Sequence, residues 1–507
     1  MIRIFILLCF TVQLSSQINL PRSTPSAEGV DAAQLMAFVD AAQKSSGLEF
    51  HSIMILRNGK VISEGYWSPY SKDFKHTMYS VSKSFTATAV GLLQAEGKIN
   101  VHEKVISFFP DKLPSAISEN LSQLSIHHLL TMSVGMAKEP GLAMVGDDWV
   151  KDFLAVNIDY PPGSRFLYNS AATYMLSAIV QKVSGQKLID FLRPRLFEPL
   201  GIQDMDWEED PSGINVGGWG LRVKTEDMAK FGLLFLQKGI WNGKQLIPVS
   251  WIEEATKTQI VQNPNKTENR NDWEQGYGYQ MWRGTHNHYR ADGAFGQYII
   301  QLPDQNAVVV ITSEMNDMGK GMKLVWDHLV PAFKKGTLPN AKAYKELKKT
   351  LTSLHISPKT SSNTPSQHAT KGMKKYRLEP TTMMPFDAIS IQNSKKSCNV
   401  ILSAKGKDYQ FTLGKGKWIV NTTARKGPNL AGQAKNNQEG LAPFTTFCSC
   451  AWLSANELEL TIKYIEGPHT EKILCTFDND AVIVQYETIM TDKKNPPRYS
   501  GVMDGGR

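Results

Sequence analysis

Ser80 and Lys83 place a hydroxyl and an amine three residues apart, at the start of a long apolar run. The run 85–93 has helical spacing and ends before Gly97. Residues at positions i and i+3 of a helix share a face, so Lys83 can reach Ser80. Backbone N–H groups of the first helical turn point toward the same place. The pair therefore predicts a serine nucleophile with a lysine as its base.

The same spacing occurs again at Ser184 and Lys187, so spacing alone does not identify a catalytic pair. Ser184 ends an apolar run and precedes Gly185, which is typical of the end of a helix. The alternative for Ser80 is a helix N-cap followed by a solvated lysine. Because a long apolar helix follows Ser80 and not Ser184, we expect the chemistry at the first pair.

Two further segments could complete such a site. Tyr168 follows the turn 161–163 and precedes a helical pattern, and its phenol can carry a proton between the lysine and a leaving group. In residues 290–298, glycines interrupt a strand, which permits close approach of a ligand to the backbone. Strand glycines also mark bulges, and tyrosines commonly pack in cores. His286 and His288, with the arginine at 290, could line the cleft or mark a solvated hairpin tip.

In this order and at these separations, the three segments resemble the serine β-lactamase and penicillin-binding-protein superfamily over residues 25–335. The resemblance is closest to the β-lactamase-related serine hydrolases, which include class C β-lactamases, esterases and 6-aminohexanoate oligomer hydrolases. Segments 125–135, 197–202 and 276–278 also resemble familiar stretches of this group.

The resemblance implies a role for individual residues. Ser80 would form an acyl-enzyme, Lys83 would deprotonate Ser80, and Tyr168 would shuttle the proton. Backbone N–H groups of Ser80 and Ala294 would form the oxyanion hole. A lysine acts as a base only if its ammonium form is disfavoured, and burial beside the positive end of a helix disfavours it. The substrate-binding residues that the resemblance implies are Ser170, Asp292, Gly293, Gly296 and Gln297.

Two departures from the family pattern concern the substrate. The third segment reads Ala-Asp-Gly at 291–293 where β-lactamases and peptidases commonly carry Lys-Thr-Gly, so the usual anchor for a substrate carboxylate is missing and Asp292 would repel one. The second segment puts Ser170 where an asparagine amide would contact substrate. We therefore expect a serine hydrolase of carboxylic esters or uncharged amides. The alternatives are a β-lactamase or D-Ala-D-Ala peptidase, and a non-catalytic binding or sensor protein on the same fold.

The order of patterns along the chain predicts an α+β domain. Residues 51–67 read as two strands around the hairpin dipeptide Asn58-Gly59. Helical patterns dominate residues 80–237, and strand patterns at 277–282, 298–302 and 308–312 precede a last helix at 323–333. Strands at both ends with helices between them indicate a sheet beside a helical lobe, with the site in the cleft between them. The resemblance implies that this sheet is antiparallel and flanked by helices.

The composition changes after this domain. Residues 336–374 are polar and predict a linker, and alternating patterns such as 458–462 predict a smaller β-rich accessory domain over residues 375–507. Four cysteines of that domain allow two disulfides in three connectivities, a less expected metal site, or buried free thiols: Cys398, Cys448, Cys450 and Cys475. Because no histidine pair has metal-ligand spacing, we expect neither a metal nor another cofactor.

The composition and the N-terminal residues limit which partners and which location we expect for the protein. A net charge of +8 over 507 residues, without basic runs interleaved with aromatics, argues against a nucleic-acid role. Arg3, the apolar stretch 4–12 and the small residues after it are typical of a signal peptide over residues 1–17, with a lipid anchor on Cys9 less expected. No segment is long enough for a transmembrane helix. We expect an exported protein, periplasmic or extracellular, that acts on a small-molecule or peptide-like substrate; the oligomeric state stays open.

Overall fold

The computed structural model describes residues 19–141, 145–339, 341–361, 372–379, 384–431, 434, 441–492, 494 and 496–503. The predicted signal peptide, residues 1–17, and part of the predicted linker lie outside these residues. No helix within them is long and apolar enough to cross a bilayer.

The chain forms helices in its first part and strands throughout. The helices are α1 (Ala32–Lys44), α2 (Ser82–Ala95), α3 (Glu119–Gln123), α4 (Ile126–Leu130), α5 (Trp149–Ala155), α6 (Ser170–Ser184), α7 (Leu188–Leu192), α8 (Thr225–Leu236), α9 (Val249–Thr256), α10 (Met318–Leu324) and α11 (Ala341–Thr352). The strands up to residue 315 are β1 (Leu48–Arg57), β2 (Lys60–Tyr66), β3 (His76–Thr77), β4 (Asp206–Trp207), β5 (Leu221–Val223), β6 (Ile240–Trp241), β7 (Lys244–Gln245), β8 (Trp282–Arg283), β9 (Tyr289–Gly293), β10 (Gln297–Leu302) and β11 (Ala307–Met315). The later strands are β12 (Lys374–Leu378), β13 (Ala388–Asn393), β14 (Ser397–Ala404), β15 (Lys407–Lys415), β16 (Ile419–Thr423), β17 (Phe444–Trp452), β18 (Glu457–Tyr464), β19 (Thr470–Asp478), β20 (Ala481–Glu487) and β21 (Arg498–Met503).

An antiparallel sheet organises the first domain. Its strand order is β2-β1-β11-β10-β9-β8. β1 and β2 pair around Asn58 and Gly59, whose φ angles of 51° and 77° suit a tight hairpin turn. β11 pairs with β1 along its whole length and so joins the two ends of the domain. The predicted α+β fold is confirmed.

Two predicted elements differ in extent from the structure. The strand expected at 277–282 is confined to β8, because positive φ angles at Gly276 and Gln280 interrupt the extended backbone. The helix expected at 323–333 begins earlier, as α10, and continues as a π-helix and a 3-10 turn.

Alternate residues of the central strands pack into two different cores, since successive side chains of a strand point to opposite faces. Met54 and Val310 belong to the core that also contains α2, α6 and α8, and this side forms the helical lobe. Ile53 and Val309 belong to the opposite core, with α1. Helix α11, inside the region predicted as a polar linker, contributes Leu347 to that second core.

The strands β12–β21 form a second domain. Their order is β15-β14-β13-β12-β21-β20-β19-β18-β17-β16, and a parallel pairing between β15 and β17 closes the sheet into a barrel. Alternate residues of a strand such as β20 are buried, as a barrel interior requires. The predicted β-rich domain is confirmed. Its four cysteines lie in the barrel core and are free thiols, the third of the alternatives that the sequence left open.

The barrel contacts the first domain beside the start of α2. The N–H and hydroxyl groups of Thr77 both donate to the Glu466 carbonyl oxygen, at 2.7 and 2.8 Å. Below this contact, His51 Nδ1 and His76 Nε2 lie 2.9 Å apart, and His51 Nε2 lies 3.2 Å from Glu49 Oε1. We call His51 and His76 the buried histidine pair. Burial lowers the pKa of both rings, so both are neutral at physiological pH.

Candidate active site

Ser80 lies at the junction between β3 and α2. The chain there forms a 3-10 turn, Tyr79–Val81, in which Tyr79 takes a φ of 45°. Positive φ is costly for a bulky residue and marks a backbone held by its surroundings. Ser80 is half-buried and lines a cavity of about 1110 Å³. The hydroxyl is therefore presented to a cavity at the start of a helix.

Lys83 stands in the first turn of α2 and is 1% exposed. Its Nζ lies 3.0 Å from Ser80 Oγ, 3.2 Å from Ser170 Oγ and 2.7 Å from the Gly218 carbonyl oxygen. Burial lowers the pKa of Lys83 to about 7, against the opposing effect of the Glu139 carboxylate. A large fraction of the amine is therefore neutral near pH 7 and can accept the Ser80 proton.

Tyr168 lies over the lysine. Its ring centroid is 4.9 Å from Lys83 Nζ, and the ring stacks on Trp282 at 5.4 Å and meets Tyr277 edge-on at 6.2 Å. Burial raises the pKa of Tyr168 well above its usual value, while the nearby Ser80 hydroxyl acts in the opposite direction. The phenol therefore keeps its proton at neutral pH and is available to transfer it.

The two residues after Tyr168 point in different directions. Asn169 is the N-cap of α6: its Oδ1 accepts from the Ala172 N–H at 3.1 Å, and the side chain is fully buried. Ser170 instead turns its hydroxyl toward Lys83, and its N–H donates to Glu139 Oε1 at 2.7 Å. The Ser170 hydroxyl thus lies with Lys83 and Ser80, while the Asn169 side chain caps helix α6.

The loop between β9 and β10 brings Ala294 to the same cavity as Ser80. A Cβ at Gly293 would lie 2.2 Å from the Met78 carbonyl oxygen, so only glycine fits there. Gly296 has a φ of 91°, a conformation that favours glycine. Gln297 holds the loop, since its Nε2 donates to the carbonyl oxygens of Ala294 and Ser313 at 3.0 and 2.8 Å.

Asp292 faces the protein interior. Its Oδ1 accepts from Arg290 Nε at 2.7 Å and its Oδ2 accepts from Trp273 Nε1 at 2.6 Å, and the residue is 6% exposed. Burial raises the pKa of Asp292, and Arg290 opposes that rise. His288 bonds the same guanidinium at 2.9 Å, and His286 stacks on a nearby tryptophan. Arg290 and His288 therefore lie beside the Asp292 carboxylate and His286 lies on Trp326, and the described wall of the cavity at Ser80 contains none of the three.

The second Ser-Lys pair has a structural role. Ser184 Oγ donates to the Val180 carbonyl oxygen at 2.6 Å, one helical turn earlier. Lys187 Nζ lies 2.7 Å from Glu209 Oε1 in a surface ion pair. Its amine and the Ser184 hydroxyl are committed to separate partners, as expected for a helix end.

The site contains contacts that the sequence did not single out. Gly218 offers its carbonyl oxygen to Lys83, and a Cβ there would lie 2.7 Å from the Ser170 carbonyl oxygen; the cluster of glycines at 213–220 is the available signal. Glu139 lines the cavity. Residues 429–431 of the barrel also line it, and no local pattern points to them.

The α+β fold, with Ser80 at the cavity and with Lys83 and Tyr168 packed beside it, defines a β-lactamase-type serine hydrolase scaffold. The Beta-lactamase family model matches residues 34–329, and the chain belongs to this family.

Named relatives are distant. The 6-aminohexanoate-dimer hydrolase of Paenarthrobacter ureafaciens is 26% identical over 221 residues, 40% of this chain and 56% of that protein. Esterase EstB of Burkholderia gladioli is 25% identical over 210 residues, 36% of this chain and 53% of that protein. A penicillin-binding protein homologue from Caulobacter crescentus has a similar structure, with a TM-score of 0.51, 15% identity and coverage of 62% of this chain and 100% of the other. The chain thus spans little more than half the length of these two curated relatives, and the structural likeness describes the fold.

Proposed function

We propose that the protein hydrolyses a carboxylic ester or amide through an acyl-enzyme on Ser80. The observation that carries this proposal is the buried Lys83 amine, with a pKa of about 7, placed 3.0 Å from Ser80 Oγ. Burying an amine is costly, and this one bonds only hydroxyls and a carbonyl oxygen among the described residues. A neutral lysine beside a serine hydroxyl is the arrangement that activates a serine nucleophile.

The reaction would proceed in two halves. Lys83 Nζ takes the Ser80 proton as Oγ bonds to the substrate carbonyl carbon, and the N–H groups of Ser80 and Ala294 stabilise the oxyanion. Tyr168 gives its proton to the leaving alkoxide or amine as the C–O or C–N bond breaks, and regains one from Lys83. Water then attacks the acyl-enzyme with the same proton transfers in reverse order, which releases the acid and restores Ser80.

The substrate that we propose is uncharged near the scissile bond. Among the described residues of the cavity wall, Glu139 and Asp159 are acidic and Lys138 is basic. A substrate carboxylate would therefore meet two carboxylates, and Arg290 is already paired with Asp292. These charges favour esters and neutral amides over β-lactams and D-Ala-D-Ala peptides. A relative named as an esterase is consistent with this preference.

The proposal is tested by removing the Ser80 hydroxyl. Ser80→Ala should lower turnover of short-chain p-nitrophenyl esters by roughly 10³-fold or more and abolish covalent labelling by a fluorophosphonate probe. Ser184→Ala is the matched control, because Ser184 also precedes a lysine by three residues but bonds its own helix. Its labelling and turnover should equal those of the wild type. Full labelling of Ser80→Ala by the fluorophosphonate probe would contradict the proposal.

The alternatives predict different outcomes, one of them in a further experiment with a penicillin. A β-lactamase or peptidoglycan peptidase would gain mass when Ser80 is acylated by a penicillin. A non-catalytic binding protein would leave esters intact and the probe unattached.

We also propose that the protein is exported, supported by the apolar stretch 4–12 behind Arg3. N-terminal sequencing of the protein from a fractionated host should find a chain that starts near residue 17, outside the cytoplasm. A cytoplasmic protein that starts at Met1 would contradict export.

A further inference from the structure

The barrel supplies one wall of the catalytic cavity. Residues 429–431, between β16 and β17, line the same cavity as Ser80. Ala431 and Ala434 pack against the core of the first domain. At the far end of the segment, the Leu441 carbonyl oxygen accepts from Arg222 Nη2 at 3.2 Å. The described residues of this segment are thus held on the first domain by packing and by a hydrogen bond.

A buried chain of hydrogen bonds ties this wall to the residue before the nucleophile. The Leu430 N–H donates to Tyr79 Oη at 3.3 Å, Tyr79 Oη lies 2.6 Å from His469 Nε2, and His469 Nδ1 lies 2.9 Å from Glu314 Oε1. Nδ1 faces a carboxylate and so acts as the donor to it, which leaves Nε2 to bond the Tyr79 hydroxyl. His469 is fully buried, so water does not compete for the two bonds that its ring makes. The position of Leu430 is therefore coupled to the position of Ser80.

The Leu430 backbone is held while its side chain stays open to the cavity. Asn429 Oδ1 accepts from the Ala431 N–H at 2.8 Å, which closes a local turn around Leu430. The Leu430 side chain is nonetheless 56% exposed. An apolar group that entered the cavity would remove this surface from water, and each methylene covered would strengthen binding.

We propose that Leu430 is a specificity-determining residue that contacts an apolar substituent of the substrate, so that the preferred substrates are esters or neutral amides with a medium-length aliphatic group. This proposal rests on hydrolysis at Ser80. It assigns the barrel a part in substrate selection, with the chain from Tyr79 to Glu314 as the anchor that keeps Leu430 in place.

The test uses the full-length chain and two substrate series. One series is p-nitrophenyl esters from acetate to octanoate, which lengthens the acyl group. The other is acetate esters of alcohols from ethanol to octanol, which lengthens the leaving group. In the wild type, kcat/KM should rise with chain length in at least one series. Leu430→Ala should lower the long-to-short ratio of kcat/KM in that series by roughly tenfold, the scale of lost contact with about two methylene groups.

Two further variants test whether the change in the ratio is specific to Leu430 and to the hydrogen bond that holds it. Val420→Ala is the matched control, because Val420 is a 59% exposed apolar residue on β16, outside the cavity wall, and its ratio should equal that of the wild type. Tyr79→Phe removes the acceptor of the Leu430 N–H and should lower the same ratio. Combined with Leu430→Ala, it should lower the ratio less than the product of the two single effects, since both act on one contact.

The outcomes distinguish a failure of the proposed role of Leu430 from a failure of the proposed hydrolysis at Ser80. An unchanged ratio in both series for Leu430→Ala, or a wild type with no chain-length preference, would overturn the role of Leu430 while fluorophosphonate labelling of Ser80 still stood. A wild type that neither hydrolyses any ester nor labels at Ser80 would overturn the proposed function, and the role of Leu430 with it.

Discussion

The pH dependence of hydrolysis tests the proposed base directly. Burial lowers the pKa of Lys83 to about 7. The neutral fraction of a group with that pKa rises about tenfold between about pH 6 and about pH 8, so kcat/KM should rise by the same factor. A solvated lysine titrates near 10.4 and would still give a rising rate at about pH 9.

Glu139 offers a second, smaller perturbation of the same group. Its carboxylate raises the pKa of Lys83, so Glu139→Gln should move the rising limb to lower pH. A glutamine keeps an oxygen that can accept the Ser170 N–H, which Glu139 Oε1 accepts at 2.7 Å. The substitution therefore changes the charge and preserves the hydrogen bond.

The same pKa shift has a cost in stability. The folded state disfavours protonation of Lys83, so the unfolded state binds the proton more readily between about pH 7 and the ordinary value of 10.5. This linkage destabilises the fold by about 3 kcal/mol at about pH 8. Lys83→Met should remove it, raising the free energy of unfolding by that order while abolishing turnover.

The assay is hydrolysis of p-nitrophenyl acetate across the pH range, with Ser80→Ala as the blank for spontaneous hydrolysis and circular dichroism as the check on folding. Urea unfolding at about pH 8 measures the stability of Lys83→Met. A flat profile, a midpoint near the ordinary lysine value, or turnover by Lys83→Met would refute the reasoning.

Three other predictions concern the surroundings of the site. Gly293→Val should lower the thermal midpoint by several degrees and kcat/KM by roughly 10²-fold, because its Cβ would lie 2.2 Å from the Met78 carbonyl oxygen; wild-type behaviour in both measurements would contradict this. Asp292→Ala should lower the free energy of unfolding in urea by about 3 to 5 kcal/mol, because Arg290 would stay buried without its partner. A raised KM without a loss of stability would instead favour contact between Asp292 and substrate. The buried histidine pair should make the fold sensitive to acid. Both rings are neutral in the folded protein, so their contribution to the free energy of unfolding is present above about pH 6.5 and is lost below it. The loss is up to about 1.4 kcal/mol per pH unit for each ring. A constant free energy of unfolding from neutral pH to about pH 5 would contradict this prediction.

Features that depend on neighbouring residues could be predicted from the sequence. The hairpin at Asn58-Gly59 follows from the turn that this dipeptide favours, and β1 and β2 pair around it. The α+β fold follows from strand patterns at both ends of a helical region. The strand expected at 277–282 was too long, because left-handed backbone at Gln280 is imposed by contacts and leaves no periodic signal.

Features that depend on distant parts of the chain could not be predicted. Gly218 and Glu139 reach Lys83 and Ser170 from separate loops. Residues 429–431 come from another domain, and their contact with the cavity depends on how the two domains pack. No local periodicity reports such contacts, since they form only when long loops close.

The sequence by itself determined the pairing of Ser80 with Lys83, because residues three apart on a helix must share a face. It also distinguished this pair from Ser184 and Lys187 by the helix that follows. Tertiary structure decided what the pair can do. Burial sets the pKa of Lys83, and the packing of the barrel places Leu430 at the cavity. Both effects depend on which groups exclude water, and only the folded chain determines that.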